Sequence, residues 1–393
     1  MIQTLIFDFD GLILDTETPE VQIWQELYVR EGQEFPMDDW VRTVVGAAVA
    51  NLDPVSRLED LTGRKYDHQA IHEQARKTRL ERQSLLPPLP GVADYLDTAL
   101  NQGLRLAIAS SSPHAWVDGY LQRLGFFDHF EAIICREQAE RIKPAPDLFL
   151  KALSALEVRA EQALAFEDSP NGVSAAKAAG IRVVGVANPV TARLGPLGSD
   201  LDLVSLADLS LHDLLGKFGD TLHLRAEEPE DLADIHKVEA RAFAREQEAD
   251  LVDLARSRGK FTLSLVAVQE GRITGHVLFT PVTIDPPGTG VGARRGLGLG
   301  PIAVQPELQG NGIGGRLVRA GLEHTRRAGF GFVVLLGDPD YYSRFGFAPG
   351  RNFGLTSAYG DGDEFQVKEL VRGSLGMQGG RVSYIEEFAE TVG

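Results

Sequence analysis

The stretch Leu5-Ile6-Phe7-Asp8-Phe9-Asp10-Gly11 constrains this chain more than any other. A short apolar run ends in two carboxylates two residues apart and is broken at once by glycine. A buried strand delivers acidic groups to its carboxyl end in this way before the chain turns aside. Side chains alternate along a strand, so Asp8 and Asp10 are expected to point the same way until that turn. Two like charges so close need a cation or a shared proton. Mg²⁺ suits the place, because it takes a few carboxylate and carbonyl oxygens together with substrate phosphate.

The 393 residues, 43% hydrophobic and 24% charged, are ordinary globular material and enough for two or three domains. A formal net charge of −17 argues against nucleic acid and anionic membrane as partners, although a local basic pocket could still hold a phosphate. The lone cysteine, Cys135, permits no internal disulfide and no cysteine-based zinc site, and Ala132-Ile133-Ile134-Cys135 reads as a buried strand. Strand-like sequence begins at residue 2 without a basic leader, and no apolar run reaches membrane-spanning length, so the expectation is a cytoplasmic protein.

After the first strand, Thr18-Pro19 reads as a helix start, with Val21, Trp24, Leu27 and Tyr28 on one face before Gly32. A helical stretch continues to about Leu86, and Leu86-Pro87-Pro88-Leu89-Pro90-Gly91 looks like a stiff return hinge. Strands and helices then alternate. Leu104–Ser110, Ile133–Cys135, Ala163–Asp168 and Arg182–Ala187 read as strands, with helices at Leu148–Leu156 and Gly172–Ala179. This order predicts a doubly wound parallel sheet whose site lies beyond the strands' carboxyl ends.

Asp8-Phe9-Asp10-Gly11 with Asp15-Thr16-Glu17 resembles the haloacid dehalogenase (HAD) phosphohydrolase superfamily, in the branch that holds β-phosphoglucomutase and small-metabolite phosphatases. The resemblance implies that Asp8 is the nucleophile that becomes an aspartyl phosphate and that Asp10 is the general acid and base. Ser110 then matches a hydroxyl that binds a phosphoryl oxygen, and Lys143 a lysine that bridges nucleophile and phosphate. Glu167-Asp168 matches the acidic pair that, with Asp8 and Asp10, completes a Mg²⁺ site. The chemistry is consistent: a carboxylate attacks phosphorus without prior deprotonation, and a second carboxyl protonates the departing alkoxide and later activates water. Residues 16–88 would be a helical cap that excludes water on closing. The full acidic set favours phosphoryl transfer over carbon–halogen cleavage. The mutases carry a histidine and an arginine where this chain has Glu20 and Val45-Gly46-Ala47-Ala48-Val49, which favours hydrolysis of a monophosphate, with phosphosugar mutase as the alternative.

From about residue 221 the pattern changes. Leu222–Arg225 reads as a strand, an acidic-capped helix follows from Pro229, and Thr262–Val268 with Ile273–Thr280 form a hairpin. Residues 285–296, rich in glycine and proline, read as a mobile loop. The strand Leu297–Val304 leads into Gln309-Gly310-Asn311-Gly312-Ile313-Gly314-Gly315 and a helix to about Ala328. Strand, glycine turn and helix make an anion site from backbone N–H groups. A dinucleotide fold would want this turn inside a βαβ unit, and the hairpin argues otherwise. With Pro306 and Tyr341-Tyr342-Ser343-Arg344-Phe345-Gly346-Phe347, the segment resembles the GNAT N-acetyltransferases. The resemblance covers residues 221 to about 350 and leaves the tail to 393 poorly matched.

It implies that Gln309, Gly310, Asn311, Gly312, Ile313 and Gly314 hold the pyrophosphate of acetyl-CoA, that Ile302, Ala303 and Val304 pair with its pantetheine arm, and that Tyr342 protonates the departing thiolate. Glu239 and His276 are the available general bases. The expected architecture is therefore a HAD hydrolase over 1–219, with core 1–15 and 89–219 and cap 16–88, followed by an α+β GNAT domain over 221–393. The expected partners are a small phosphorylated metabolite and an amine acceptor, with a non-catalytic acyl-CoA-sensing module as the alternative for the second half.

Overall fold

The computed structural model describes residues 1–43, 52–285, 295–376 and 379–392. The chain divides into two compact units, one of Ile2–Ala99 with Arg105–Lys217 and one of Phe218–Gly393 with Met1 and Leu100–Leu104.

The first unit is built on six parallel strands in the order β3-β2-β1-β4-β5-β6. These are β1 (Thr4–Phe7), β2 (Arg105–Ala109), β3 (Ala132–Ile134), β4 (Ala163–Glu167), β5 (Arg182–Val186) and β6 (Leu201–Leu203). β1 lies between β2 and β4 and is buried on both faces, so its sequence is a continuous apolar run and not an alternation. Phe7 stacks on Phe166 of β4 at 4.6 Å between ring centroids, and each fully buried aromatic of this kind contributes roughly 1.5–3 kcal/mol. β6 was not legible in the sequence: three residues at a sheet edge, half exposed, leave no apolar signature.

Between β1 and β2 stand α1 (Glu17–Arg30), α2 (Met37–Thr43), α3 (Pro54–Thr62), α4 (His68–Gln83) and α5 (Val92–Asn101). Helix α1 starts at Glu17, two residues before the expected Pro19 turn, and Thr18 N–H donates to Asp15 Oδ1 at 3.0 Å. Val21, Trp24, Leu27 and Tyr28 are buried as their spacing requires, against Phe35, Trp40, Val55 and Leu58. Asp53 caps α3 through Val55 and Ser56 N–H, and Gly63, at φ 67°, ends it. Later come α6 (His114–Leu124), α7 (Asp147–Ala155), α8 (Pro170–Ala178) and α9 (Leu211–Lys217).

The second unit is a mixed sheet of nine strands with helices α10 (Leu232–Phe243), α11 (Gln247–Ser257), α12 (Ile313–Arg327), α13 (Pro339–Tyr342) and α14 (Glu387–Val392). Its strands are β7 (His223–Ala226), β8 (Leu263–Gln269), β9 (Arg272–Asp285), β10 (Gly296–Val304), β11 (Phe332–Leu336), β12 (Ala348–Pro349), β13 (Leu355–Ser357), β14 (Phe365–Glu369) and β15 (Gly380–Ser383). β8 and β9 form the expected hairpin, and β9 runs on to Asp285, where β15 joins it. β10 pairs antiparallel with β9 along its length but parallel with β11 only over Gly296–Gly298. Beyond Gly298 the two strands part, and the register against β9 shifts between Leu299 and Ile302. Residues 286–294, most of the expected mobile loop, and Val45–Val49 lie outside the described residues. No helix among the described residues is long and apolar enough to cross a membrane.

Candidate active sites

In the first unit, the tips of β1, β2 and β4 meet around a cavity of about 500 Å³ lined by Asp8, Asp10, Ser110, Lys143 and Asp168. Asp8 follows β1 directly and is buried, its N–H bonded to Phe166 O at 3.0 Å. Lys143 Nζ donates to Asp8 Oδ1 and, at 2.5 Å, to Glu167 Oε1. Asp168 Oδ2 accepts from Asn188 Nδ2 at 2.8 Å, and the same amide reaches Glu17 Oε2 at 3.2 Å and Gly11 O at 3.3 Å. Ser110, at the end of β2, is buried beside this group, and its Oγ accepts from Ser112 N–H at 3.1 Å.

Two glycines let these carboxylates come so close. A Cβ on Gly11, at φ 79°, would lie 2.2 Å from Asp168 Oδ2, and one on Gly172, in the first turn of α8, would lie 1.9 Å from Glu167 Oε2. Ser169 caps that turn by accepting from Gly172 N–H at 3.2 Å.

Ligand oxygens of Asp8, Glu167 and Asp168 all lie within 4.8 Å of one another. Burial, with the neighbouring carboxylates, pushes Glu167 up to about 7 and Glu17 up to about 8. It raises Asp8 and Asp168 above their ordinary values as well. Lys143 is shifted upward despite its own burial, because Asp8 and Glu167 hold its proton. Among the described residues one ammonium, Lys143, meets three buried carboxyls and the half-buried Glu17 beside them, and Glu167 Oε2 has no hydrogen-bond partner. Such an excess of buried negative charge fits a hard divalent cation.

Asp10 departs from the expectation. Its carboxylate is not in the group of three; Ser112 Oγ donates to its Oδ2 at 2.5 Å and Trp116 Nε1 to its Oδ1 at 2.9 Å. The strand ends at Phe7, so alternation does not carry Asp8 and Asp10 to one point. Trp116, two residues into α6, and Asn188, just past β5, escaped the sequence reading. The Asn-Pro step at a strand end could have drawn attention to Asn188, whereas nothing in the spacing marks Trp116. Glu20 pairs with Arg79 of α4 at 3.1 Å, both line the cavity, and Arg79 Nε is buried without a partner.

In the second unit, the gap between β10 and β11 leaves one side of the Ile302–Val304 backbone without a β11 partner. Gly310 and Gly312 take φ 79° and 93°, which turns the chain into α12 with no side chain capping its first N–H groups. Gln309 Nε2 donates to Val304 O at 3.1 Å and Asn311 Nδ2 to Leu308 O at 3.2 Å, so both side chains brace the turn. Ile313 is buried under this turn.

Gly314, by contrast, passes close to Tyr341, whose hydroxyl would be 3.1 Å from a Cβ there. Tyr342 packs against Tyr341 and Phe347 at centroid distances of 4.9 and 5.9 Å, and a Cβ on Gly337, at the end of β11, would lie 2.4 Å from its ring. Burial raises its hydroxyl well above the ordinary range. Glu239, on α10, is fully buried, with its Oε1 2.6 Å from His276 Nδ1, while His276 Nε2 meets Ser264 Oγ at 2.9 Å.

A parallel sheet with an inserted helical segment and acidic strand tips, followed by a splayed mixed sheet with a glycine turn, defines a hydrolase joined to an acyltransferase. Residues 5–186 match the family model of haloacid dehalogenase-like hydrolases and residues 223–350 that of the acetyltransferase (GNAT) domain. The chain belongs to both families, as a fusion of a HAD hydrolase and a GNAT N-acetyltransferase.

YhcW of Bacillus subtilis is 42% identical over 215 residues, 55% of this chain and 97% of its own length. The phosphorylated carbohydrates phosphatase of Thermotoga maritima is 30% identical over 188 residues, 47% of this chain and 85% of its own. YhbS of Escherichia coli, named an uncharacterized N-acetyltransferase, is 37% identical over 167 residues, 42% of this chain and 97% of its own. A crystal structure of YhbS in complex with CoA aligns with a TM-score of 0.40 and 34% identity, covering 43% of this chain and 92% of that one.

Proposed function

We propose that the first half is a Mg²⁺-dependent phosphatase of a small phosphomonoester and that the second transfers an acetyl group from acetyl-CoA to an amine. The observation that carries the first reading is the buried set of Asp8, Glu167 and Asp168 at the strand tips, with Lys143 from the loop after β3. Mg²⁺, held by Asp8, Glu167 and Asp168 with Asp10 beside them, would supply charge neutralisation for the incoming phosphoryl group.

Asp8, ionised and oriented by Lys143, attacks phosphorus to give an aspartyl phosphate. Lys143 and the Ser110 hydroxyl bind phosphoryl oxygens as charge spreads onto them. Asp10, released from Ser112 and Trp116, gives a proton to the leaving alkoxide and then takes one from the attacking water. Arg79, steadied by Glu20, offers its free Nε to the remainder of the substrate, which suits a polyhydroxylated or anionic metabolite such as a sugar phosphate. Glu20 in place of a mutase histidine favours hydrolysis.

In the second half, the backbone of the Gly310–Gly314 turn binds the pyrophosphate of acetyl-CoA, Ile302–Val304 pair with its pantetheine arm, and Tyr342 protonates the thiolate. The domains are taken as 1–219, with cap 16–88, and 221–393, and the protein as cytoplasmic. The close packing of Tyr342 in an aromatic cluster also suits a module that binds acyl-CoA without turning it over.

The test is Mg²⁺-dependent phosphate release from a panel of phosphomonoesters by the wild type and Asp8→Asn, with acid trapping of the phosphorylated protein. Hydrolysis that survives in Asp8→Asn would sink the nucleophile assignment. Acetyl transfer to an amine panel, compared between wild type and Tyr342→Phe, separates turnover from sensing, since a sensor binds CoA equally in both.

A further inference from the structure

With residues that belong to neither site, the helical insert brings two histidines and a carboxylate together. His68 and His72 stand one turn apart on α4, a spacing that places two imidazoles on one helix face. Both meet Asp53, the residue that caps α3: His68 Nδ1 lies 3.2 Å from Asp53 Oδ2, and His72 Nε2 lies 2.8 Å from Asp53 Oδ1. The three ligand atoms fall within 4.8 Å of one another. Donors about 2.0–2.2 Å from a tetrahedral zinc ion are separated by roughly 3.3 Å, so the triangle is already close to the size such an ion needs.

The surroundings hold the imidazoles in place. His68 turns its other nitrogen, Nε2, to Glu59 Oε1 at 3.3 Å, leaving Nδ1 aimed at Asp53. A carboxylate on the far nitrogen is the usual way a metal-ligating histidine is oriented and made more basic. Glu59 is itself fixed, by Lys65 Nζ at 2.7 Å and Tyr66 N–H at 3.0 Å. His72 rests edge-on against the buried Trp24 at 5.4 Å between centroids. Asp53 is fixed from behind by Ser56, whose N–H and hydroxyl donate to Oδ2 at 3.0 and 2.6 Å.

We propose that Asp53, His68 and His72 form a site for a divalent transition-metal ion of the zinc class, with Glu59 as the carboxylate behind His68. The site joins the start of α3 to the first turns of α4 and leaves a fourth position to water. Two imidazoles and one carboxylate suit Zn²⁺, Co²⁺ or Ni²⁺ and not Mg²⁺, which prefers oxygen alone. His68-Gln69-Ala70-Ile71-His72 has no glutamate beside its first histidine to act as a base, so the role is to clip the insert together and not to hydrolyse peptides.

The test is Co²⁺ and Zn²⁺ titration of the full chain with Mg²⁺ in excess, reading visible absorption and thermal midpoint. Four-coordinate Co²⁺ on imidazole absorbs strongly, whereas an all-oxygen octahedral site does not, so the acidic site of the first unit is separated by spectrum. The wild type should take up one strongly absorbing Co²⁺, displaced by Zn²⁺, with a rise in midpoint. His68→Ala and His72→Ala, at partly exposed positions where folding is checked by circular dichroism, should lose both signals. Glu59→Gln, which keeps both imidazoles, should weaken binding about 10- to 100-fold. Equal uptake and equal spectra in the wild type and the two histidine variants would overturn the proposal.

Discussion

The two candidate sites are made of different material. The first is a knot of charged side chains taken out of water, with Lys143 between Asp8 and Glu167 and with Asp168 held by Asn188. The second is made mostly of backbone: a strand that loses its neighbour after Gly298 and a glycine turn at positive φ that leads into α12 with no side chain capping its first N–H groups. Side chains in such a knot are individually indispensable, because each removal leaves a buried charge uncompensated. Backbone groups are supplied by every residue, so a site built from them depends on conformation and tolerates exchange of side chains. The two halves should therefore respond to substitution in opposite ways.

The largest effect is expected at the nucleophile. Asp8→Asn keeps the shape but removes the attacking oxygen, so phosphatase activity should fall by about 10⁴-fold or more while acetyl transfer by the same preparation is unchanged. A loss of both activities in a folded variant would break the contrast between the halves. Next is Tyr342→Phe, the one position in the second unit where a side chain is assigned chemistry; losing a general acid should lower kcat by about 10²-fold with little change in affinity for acetyl-CoA. An unchanged kcat would move the second half to the sensing reading.

A smaller pair of glycine variants sharpens the comparison. In Gly172→Ala the new methyl would sit 1.9 Å from Glu167 Oε2, so the carboxylate or α8 must move. The expected cost is about 1–3 kcal/mol of stability in the first unit, with weaker Mg²⁺ binding. In Gly312→Ala the penalty is the left-handed conformation at φ 93°. That strain, about 1–2 kcal/mol, should appear as a raised KM for acetyl-CoA with kcat retained. If Gly312→Ala lowered kcat and left KM alone, the turn would not be a binding element.

The same difference governs what the sequence made legible. Asp8, Ser110 and Asp168 each fall at a strand end, and the structure brings them to one cavity because a parallel sheet gathers such ends, with Lys143 supplied from the loop between β3 and α7. The glycine turn was legible because positive φ has a residue signature. Asp10 was read only in part, since the alternation rule fails once the strand stops at Phe7. Trp116 and Asn188 were illegible because their contacts with Asp10 and Asp168 are made across 106 and 20 residues, and no spacing encodes them. The burial of Glu239 was illegible for a related reason. Its helix has an apolar stripe, but only the partner strand reveals that His276 waits beneath it. The tail β12–β15 pairs with β14, β9 and β15 at separations that no local pattern announces.

The smallest predicted effect is the absence of one, and it tests whether Tyr342 works inside the aromatic cluster that encloses it. A general acid must stay protonated to act, and burial raises the Tyr342 hydroxyl well above its ordinary value, with Tyr341 beside it acting in the same direction. Raising the pKa of an acid moves the pH at which it is lost upward, so the protonated form persists through the whole range in which the protein is handled. The acceptor amine, in contrast, becomes nucleophilic only as it loses its proton. The rate of acetyl transfer should therefore climb with pH and level off, with no descending limb between about pH 6 and 10. A wild-type profile that falls in that range, and a Tyr342→Phe profile that does not, would show that the hydroxyl titrates early. Its surroundings would then be wetter than the packing against Phe347 and Gly337 allows.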